Sequence, residues 1–148
     1  MDNKIDIVFG SDHGGLNLKK KLMNHLEENY PKLQISDLGT YDETSIDYPD
    51  YAKKVVDSIL SKEANLGILV CGTGIGMSIK ANRYKGIRAA LAHNEFTAQM
   101  AKEHNNANIL CLGERATDSD MAIKILDIWL TTEFAGDRHQ RRINKLDQ

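Results

Sequence analysis

Apolar positions along this chain fall into short continuous runs separated by longer stretches in which they recur at helical spacing. The runs are "KIDIVFGSD", "LQISDLG", "LGILVCG", "GIRAALAH" and "ANILCLG". Each is rich in branched residues and bounded by glycine or polar clusters, which predicts five strands. Apolar residues three and four apart follow in the segments 16–28, 51–60, 76–82, 95–103 and 119–131, which predicts helices there. Strands alternating with helices need crossover connections, so the sheet is expected to be mainly parallel and covered on both faces. The unbroken apolar character of "ILVC" and "ILCL" agrees with strands buried from both sides. No linker, repeat or low-complexity stretch interrupts the pattern, and Pro31 and Pro49 both read as lying between elements. The chain therefore reads as one domain over 1–148, ending in a basic arm or helix, "GDRHQRRINKLDQ", from about residue 137.

Composition changes this picture little. A chain of 148 residues with 41% hydrophobic and 27% charged side chains is ordinary for a globular protein. Its formal net charge of -2 argues against a dedicated binder of nucleic acid or of an anionic membrane. After Met1, Asp2, Asn3 and Lys4 the first apolar run is about five residues, too short for a signal-peptide core or a membrane span. A cytoplasmic location is the expectation. Cys71 and Cys111 lie far apart, without the close pairing of structural zinc sites, and are expected to be free thiols.

Parallel sheets bind ligands beyond the carboxyl ends of their strands, where turns lead into helices. Three such turns stand out: "GSDHGG", "CGTGIG" and "LGERATDSD". Gly72, Gly74 and Gly76 permit a tight turn whose backbone N–H groups can approach an anion. The turn lacks the lysine and hydroxyl ending of a nucleotide P-loop, and Met77 stands where a dinucleotide fingerprint needs glycine. A close-packed turn without a ligand would explain the glycines alone. Cys71 shifts the balance, because a helix N-terminus stabilises a thiolate, which could act as nucleophile or base.

His13, held between Asp12 and two glycines at a strand exit, reads as functional. His25 and His93 read as surface or packing residues, and His104 at a helix end is compatible with either role. Cys111, within "NILCLG", reads as a small core hydrophobe. In the tail, Arg138, His139, Arg141 and Arg142 form either a solvated face or a clamp for a phosphate group.

The segments "GSDHGG", "DLGT", "DYPDYA", "CGTGIGMSIKAN", "GIRAAL", "EHNNANILCLGER" and "GDRHQRRI", in that order, resemble type B ribose-5-phosphate isomerases. That family also holds the galactose-6-phosphate and allose-6-phosphate isomerases. The resemblance spans about residues 5–145. It implies a Rossmann-like, three-layer α/β/α fold and aldose–ketose interconversion of D-ribose 5-phosphate and D-ribulose 5-phosphate in the pentose phosphate pathway. No metal or nucleotide cofactor is implied, and the partner is a small sugar phosphate. It further implies a homodimer, or a dimer of dimers, whose active sites are shared between subunits.

Residue by residue, the resemblance makes Cys71 the base and Thr73 a hydroxyl near the substrate oxygens. Backbone N–H groups of Gly72, Gly74 and Gly76 would face the developing oxyanion. Some relatives carry a glutamate base at the position of Met77, which cannot serve here. His104 and Asp12 would open the sugar ring, and Asn105 would hold the intermediate. His13, Arg115, Arg138 and Arg142 would hold the phosphate, and Tyr48 would line the sugar site. Asp137 departs from the glycine expected beside Arg138 and could compete for its guanidinium. Three alternatives remain at this stage: a hexose 6-phosphate isomerase, a non-catalytic sugar-phosphate sensor, and a thiol hydrolase or redox protein. The redox reading lacks a resolving cysteine, since position 74 is glycine.

Overall fold

The computed structural model describes residues 5–148. Met1 to Lys4, where the first strand run and the reading of the N-terminus begin, lie outside the described residues. Five strands form one sheet: β1 (Asp6–Ser11), β2 (Gln34–Asp37), β3 (Leu66–Cys71), β4 (Ala89–Leu91) and β5 (Ile109–Gly113). Their order is β2-β1-β3-β5-β4, and every neighbouring pair is parallel, so "mainly parallel" becomes fully parallel. The chain leaves β3 for the edge at β4 and returns to insert β5 beside β3. Ser11 pairs with Val70, and Cys71 with Gly113. The carboxyl ends of β1, β3 and β5 therefore lie level at the middle of the sheet.

Two layers of helix cover it. Helices α1 (Leu16–Asn29), α4 (Glu95–Glu103) and α5 (Ser119–Thr131) pack Leu22, Leu26, Ala98 and Trp129 onto Phe9, Ile68, Val70 and Leu112. On the other face α2 (Tyr48–Leu60) and α3 (Ile75–Ala81) pack Val55, Val56 and Met77 onto Val8, Leu69, Cys71 and Cys111. Each large apolar side chain buried this way contributes roughly 1.5–3 kcal/mol of transfer free energy. The period of two along β3 decides which layer Cys71 enters: Ile68 and Val70 point one way, Leu69 and Cys71 the other.

Several boundaries differ from the spacing. Helix α2 begins at Tyr48, three residues before the apolar period does, with Pro49 inside its first turn. Proline fits there because first-turn N–H groups have no intrahelical acceptor, so Pro49 belongs to an element, not a linker. Helix α1 runs one residue further, to Asn29, and α3 is displaced by one, starting at Ile75 behind the left-handed Gly74 at φ 80°. The tail is a helix, α6 (Arg138–Leu146): His139 and Ile143, four apart, are buried while Arg138, Arg141 and Arg142 face outward.

Candidate active site

Strand β1 exits into a 3-10 turn, His13–Gly15, whose cap Asp12 accepts the Gly15 N–H through Oδ1 at 3.1 Å. Gly15 is required because a Cβ there would collide with the Val70 carbonyl, so α1 starts tight against β3. In the next turn Gly74 donates its N–H to Cys71 Sγ at 3.1 Å, and Ile75 donates to Thr73 Oγ1 at 3.2 Å. The turn after β5 grips this one: Glu114 N–H donates to the Cys71 carbonyl and Arg115 N–H to the Gly72 carbonyl, both at 2.9 Å. A Cβ on Gly72 would lie 3.4 Å from Arg115 Nη1, so the guanidinium sits over the glycine turn. A Cβ on Gly76 would lie 2.5 Å from the Tyr48 ring, which covers that glycine. His13 Nδ1 accepts the Ile46 N–H at 3.3 Å. The central turns thus gather Asp12, His13, Tyr48, Cys71, Gly72, Thr73, Gly74, Gly76 and Arg115 at one end of the sheet. Arg115 and Thr73 are exposed there, open to a ligand.

His104, Asn105, Arg138 and Arg142 form a second group. Helix α4 starts beyond the carboxyl end of β4 and runs back, so His104, its C-cap, lies at the amino end of the sheet. The five-residue β5 separates the two groups, a span of about 15 Å at the usual rise per residue. The His104 ring stacks on His139 with centroids 4.2 Å apart. Burial holds the His139 imidazole below its usual range, and His104, Arg138 and Arg142 add to this. The reading of four cation-capable residues as one clamp is corrected for His139, which turns inward to His104 and leaves the arginines outside. Arg88 braces the group, donating from Nε to the Asn105 carbonyl at 3.0 Å and from Nη1 to Asp147 at 2.9 Å. Among the described residues Asp137 forms no ion pair with Arg138.

The sequence profile described as Ribose/Galactose Isomerase matches residues 7–146. The chain belongs to the ribose/galactose isomerase family. A solved ribose 5-phosphate isomerase of Thermotoga maritima is 54% identical, with a TM-score of 0.93 and 97% of each chain covered. Ribose-5-phosphate isomerase B of Escherichia coli is 39% identical, over 95% of this chain and 93% of its own. A Rickettsia typhi protein, 52% identical over 95% of this chain and 96% of its own, is assigned only provisionally as a sugar phosphate isomerase. As a ribose/galactose isomerase family member, the chain is an enzyme of the aldose–ketose isomerase type.

For a ribose/galactose isomerase the two cysteines have unequal surroundings. Cys71 ends its strand against the N–H of Gly74, whereas Cys111 is wholly enclosed, and burial, then the nearby Cys71, pushes its thiol far up. A thiol in that state is inert. Met77 is fully buried between α2 and α3 and takes no part in the turn's polar surface. Two residues that the sequence reading passed over matter here. Glu114 Oε1 accepts the Leu18 N–H at 2.7 Å, tying the start of α1 to the turn after β5. Lys19 is completely buried and binds Asp37 at 2.6 Å. Its signal was available: Lys19 shares the helical stripe of Leu22 and Leu26, where a charge is out of place. Among the described residues, no group of three or more His, Cys, Asp or Glu is placed to hold a metal, and no helix is long and apolar enough to cross a membrane.

Proposed function

We propose that this enzyme interconverts D-ribose 5-phosphate and D-ribulose 5-phosphate through an enediolate, with Cys71 as the base. The observation that carries this reading is the Cys71 sulfur, 3.1 Å from the Gly74 N–H, in a turn gripped by Arg115 and flanked by Asp12 and His13. Moving a carbonyl between C1 and C2 requires removal of a carbon-bound proton, and the barrier lies in the negative charge that results. A thiolate supported by a backbone donor can take the proton from C2 and return it to C1, while the hydroxyl proton passes from the C2 oxygen to the C1 oxygen. N–H groups of the Gly72–Gly76 turn and the Thr73 hydroxyl stabilise the enediolate oxygen; losing one such donor typically costs about a hundredfold in rate. Asp12 and His104 open the sugar ring, and Asn105 holds the open form. His13, Arg115, Arg138 and Arg142 hold the phosphate, which aligns C1 and C2 with the sulfur, and Tyr48 lines the sugar site.

The two groups of residues lie at opposite ends of one sheet, so a twofold dimer that sets the His104 end of one subunit over the Cys71 end of the other would complete two equal sites. Both cysteines are free, as a reducing cytoplasm keeps them. The chemistry uses protein groups alone, so activity is expected to survive exhaustive chelation. The deciding experiment compares kcat/KM for ribose 5-phosphate, allose 6-phosphate and galactose 6-phosphate. Ribose 5-phosphate is expected to lead; a clear advantage for a hexose phosphate would replace the pentose in this reading while leaving the Cys71 chemistry in place.

A further inference from the structure

Lys19 stands in the core without a place in the chemistry above. Its side chain is fully enclosed, and burial holds the ammonium below its usual range against the opposing pull of Asp37. All its bonds go to one corner of the chain: Nζ donates to Asp37 Oδ1 at 2.6 Å and to the Thr40 carbonyl at 2.5 Å. Asp37 Oδ1 also accepts the Gly39 N–H at 2.9 Å, and Tyr41 OH donates to the Asp37 carbonyl at 2.9 Å. The corner is stitched to the exit of β1 as well. Ser11 N–H donates to the Gly39 carbonyl and Thr40 N–H to the Ser11 carbonyl, each at 2.8 Å. Six residues on, the same segment delivers the Ile46 N–H to His13 Nδ1. An imidazole that accepts at Nδ1 carries its one neutral-form proton on Nε2.

We propose that Lys19 is a positioning residue: by anchoring the 37–40 corner from beneath, it holds the segment whose Ile46 N–H locks His13 as the Nε2–H tautomer. The physical case is that a buried ammonium has given up its water for these two acceptors, so the backbone carbonyl it binds cannot drift without leaving the charge less compensated. Gly39 and Thr40 are themselves buried, so Lys19 fixes this corner from inside the molecule. A locked Nε2–H gives the site one oriented donor, the form suited to a phosphate oxygen, and in this consequence the inference rests on the reading of His13 as a phosphate ligand.

The test separates the two. Imidazole nitrogen-15 shifts, with His13 assigned by its loss in His13→Gln, report the tautomer at about pH 9, where an ordinary imidazole is neutral. The wild type is expected to show a single Nε2–H form. Lys19→Met is expected to give a tautomer mixture, as is Asp37→Asn, a milder change that keeps the Gly39 acceptor should Lys19→Met fail to fold. KM for ribose 5-phosphate and the inhibition constant of inorganic phosphate are expected to rise together by the inverse of the remaining Nε2–H fraction, about twofold for an even mixture. An unchanged tautomer in a folded variant, with only the melting temperature lowered, overturns the proposal and leaves Lys19 a structural residue. A mixed tautomer with unchanged KM and phosphate inhibition upholds the Lys19 anchor and removes His13 from the phosphate site instead.

Discussion

Cys71 and Cys111 point to the same face of adjacent strands, and what distinguishes them is the last atom each meets. For Cys71 it is a backbone N–H at 3.1 Å at a strand end; for Cys111 it is apolar core on every side, with no exposed surface. A charge is costly in the second setting, and only in the first does a polar group face the sulfur. Iodoacetamide is therefore expected to modify Cys71 alone in the folded enzyme and to abolish turnover, and Cys71→Ala is expected to be inactive as well. Cys111→Ala is expected to keep kcat and to lose about 1–2 kcal/mol of stability, read from the denaturation midpoint. The reverse pattern, an active Cys71→Ala and an inactive Cys111→Ala, would remove Cys71 as the base.

Helix α6 shows how one element sorts its side chains by face. His139 and Ile143 anchor it, which leaves Arg138 and Arg142, also four apart, side by side on the outer surface. Arg142→Ala is expected to raise KM and weaken inhibition by inorganic phosphate about tenfold or more, since a charge-assisted contact is lost. Unchanged constants would return that face to solvent. At the junction of α1 and α5, Asp127 Oδ1 accepts from Tyr30 OH at 2.8 Å and lies 2.7 Å from His25 Nε2. Burial, then the bond to Asp127 and its charge, pushes Tyr30 from 10.0 up to about 12. The folded state thus keeps a proton that the unfolded chain releases first. This contribution to stability is complete below the unfolded value and is lost as pH climbs from 10.0 to about 12. Denaturation midpoints measured across that window are expected to fall more steeply for the wild type than for Tyr30→Phe, and equal slopes would exclude Tyr30 as the titrating group.

At the scale of the whole molecule, the parallel sheet itself separates the proposed site into two halves. Every crossover helix carries the chain back to the amino ends, so a residue at the end of α4 cannot reach the turn after β3 in its own chain. Mixing Cys71→Ala and His104→Ala subunits under exchange tests whether a second chain supplies it. Random pairing makes about half of the dimers hybrid, each with one intact site of two, so activity is expected to return to about a quarter of the wild type. Persistent inactivity, with exchange verified by mass, would rule out sharing between these two residues.

Strand and helix identities were legible because they rest on local periodicity: the continuous apolar runs became β3 and β5, and the glycine turn after Cys71 lies where its spacing put it. Pro49 reads as lying between elements because it breaks the apolar period without breaking a helix, a distinction invisible to spacing. Lys19 was passed over for a related reason, since local sequence records a charge on a stripe but not the Asp37 carboxylate and Thr40 carbonyl that satisfy it. The sequence alone determined the order of elements, the parallel sheet and the chemical character of each turn, all set by neighbours within a few residues. Tertiary structure alone decided that β5 inserts beside β3 and that His139 faces inward, because strand order and burial depend on contacts between residues far apart in the chain.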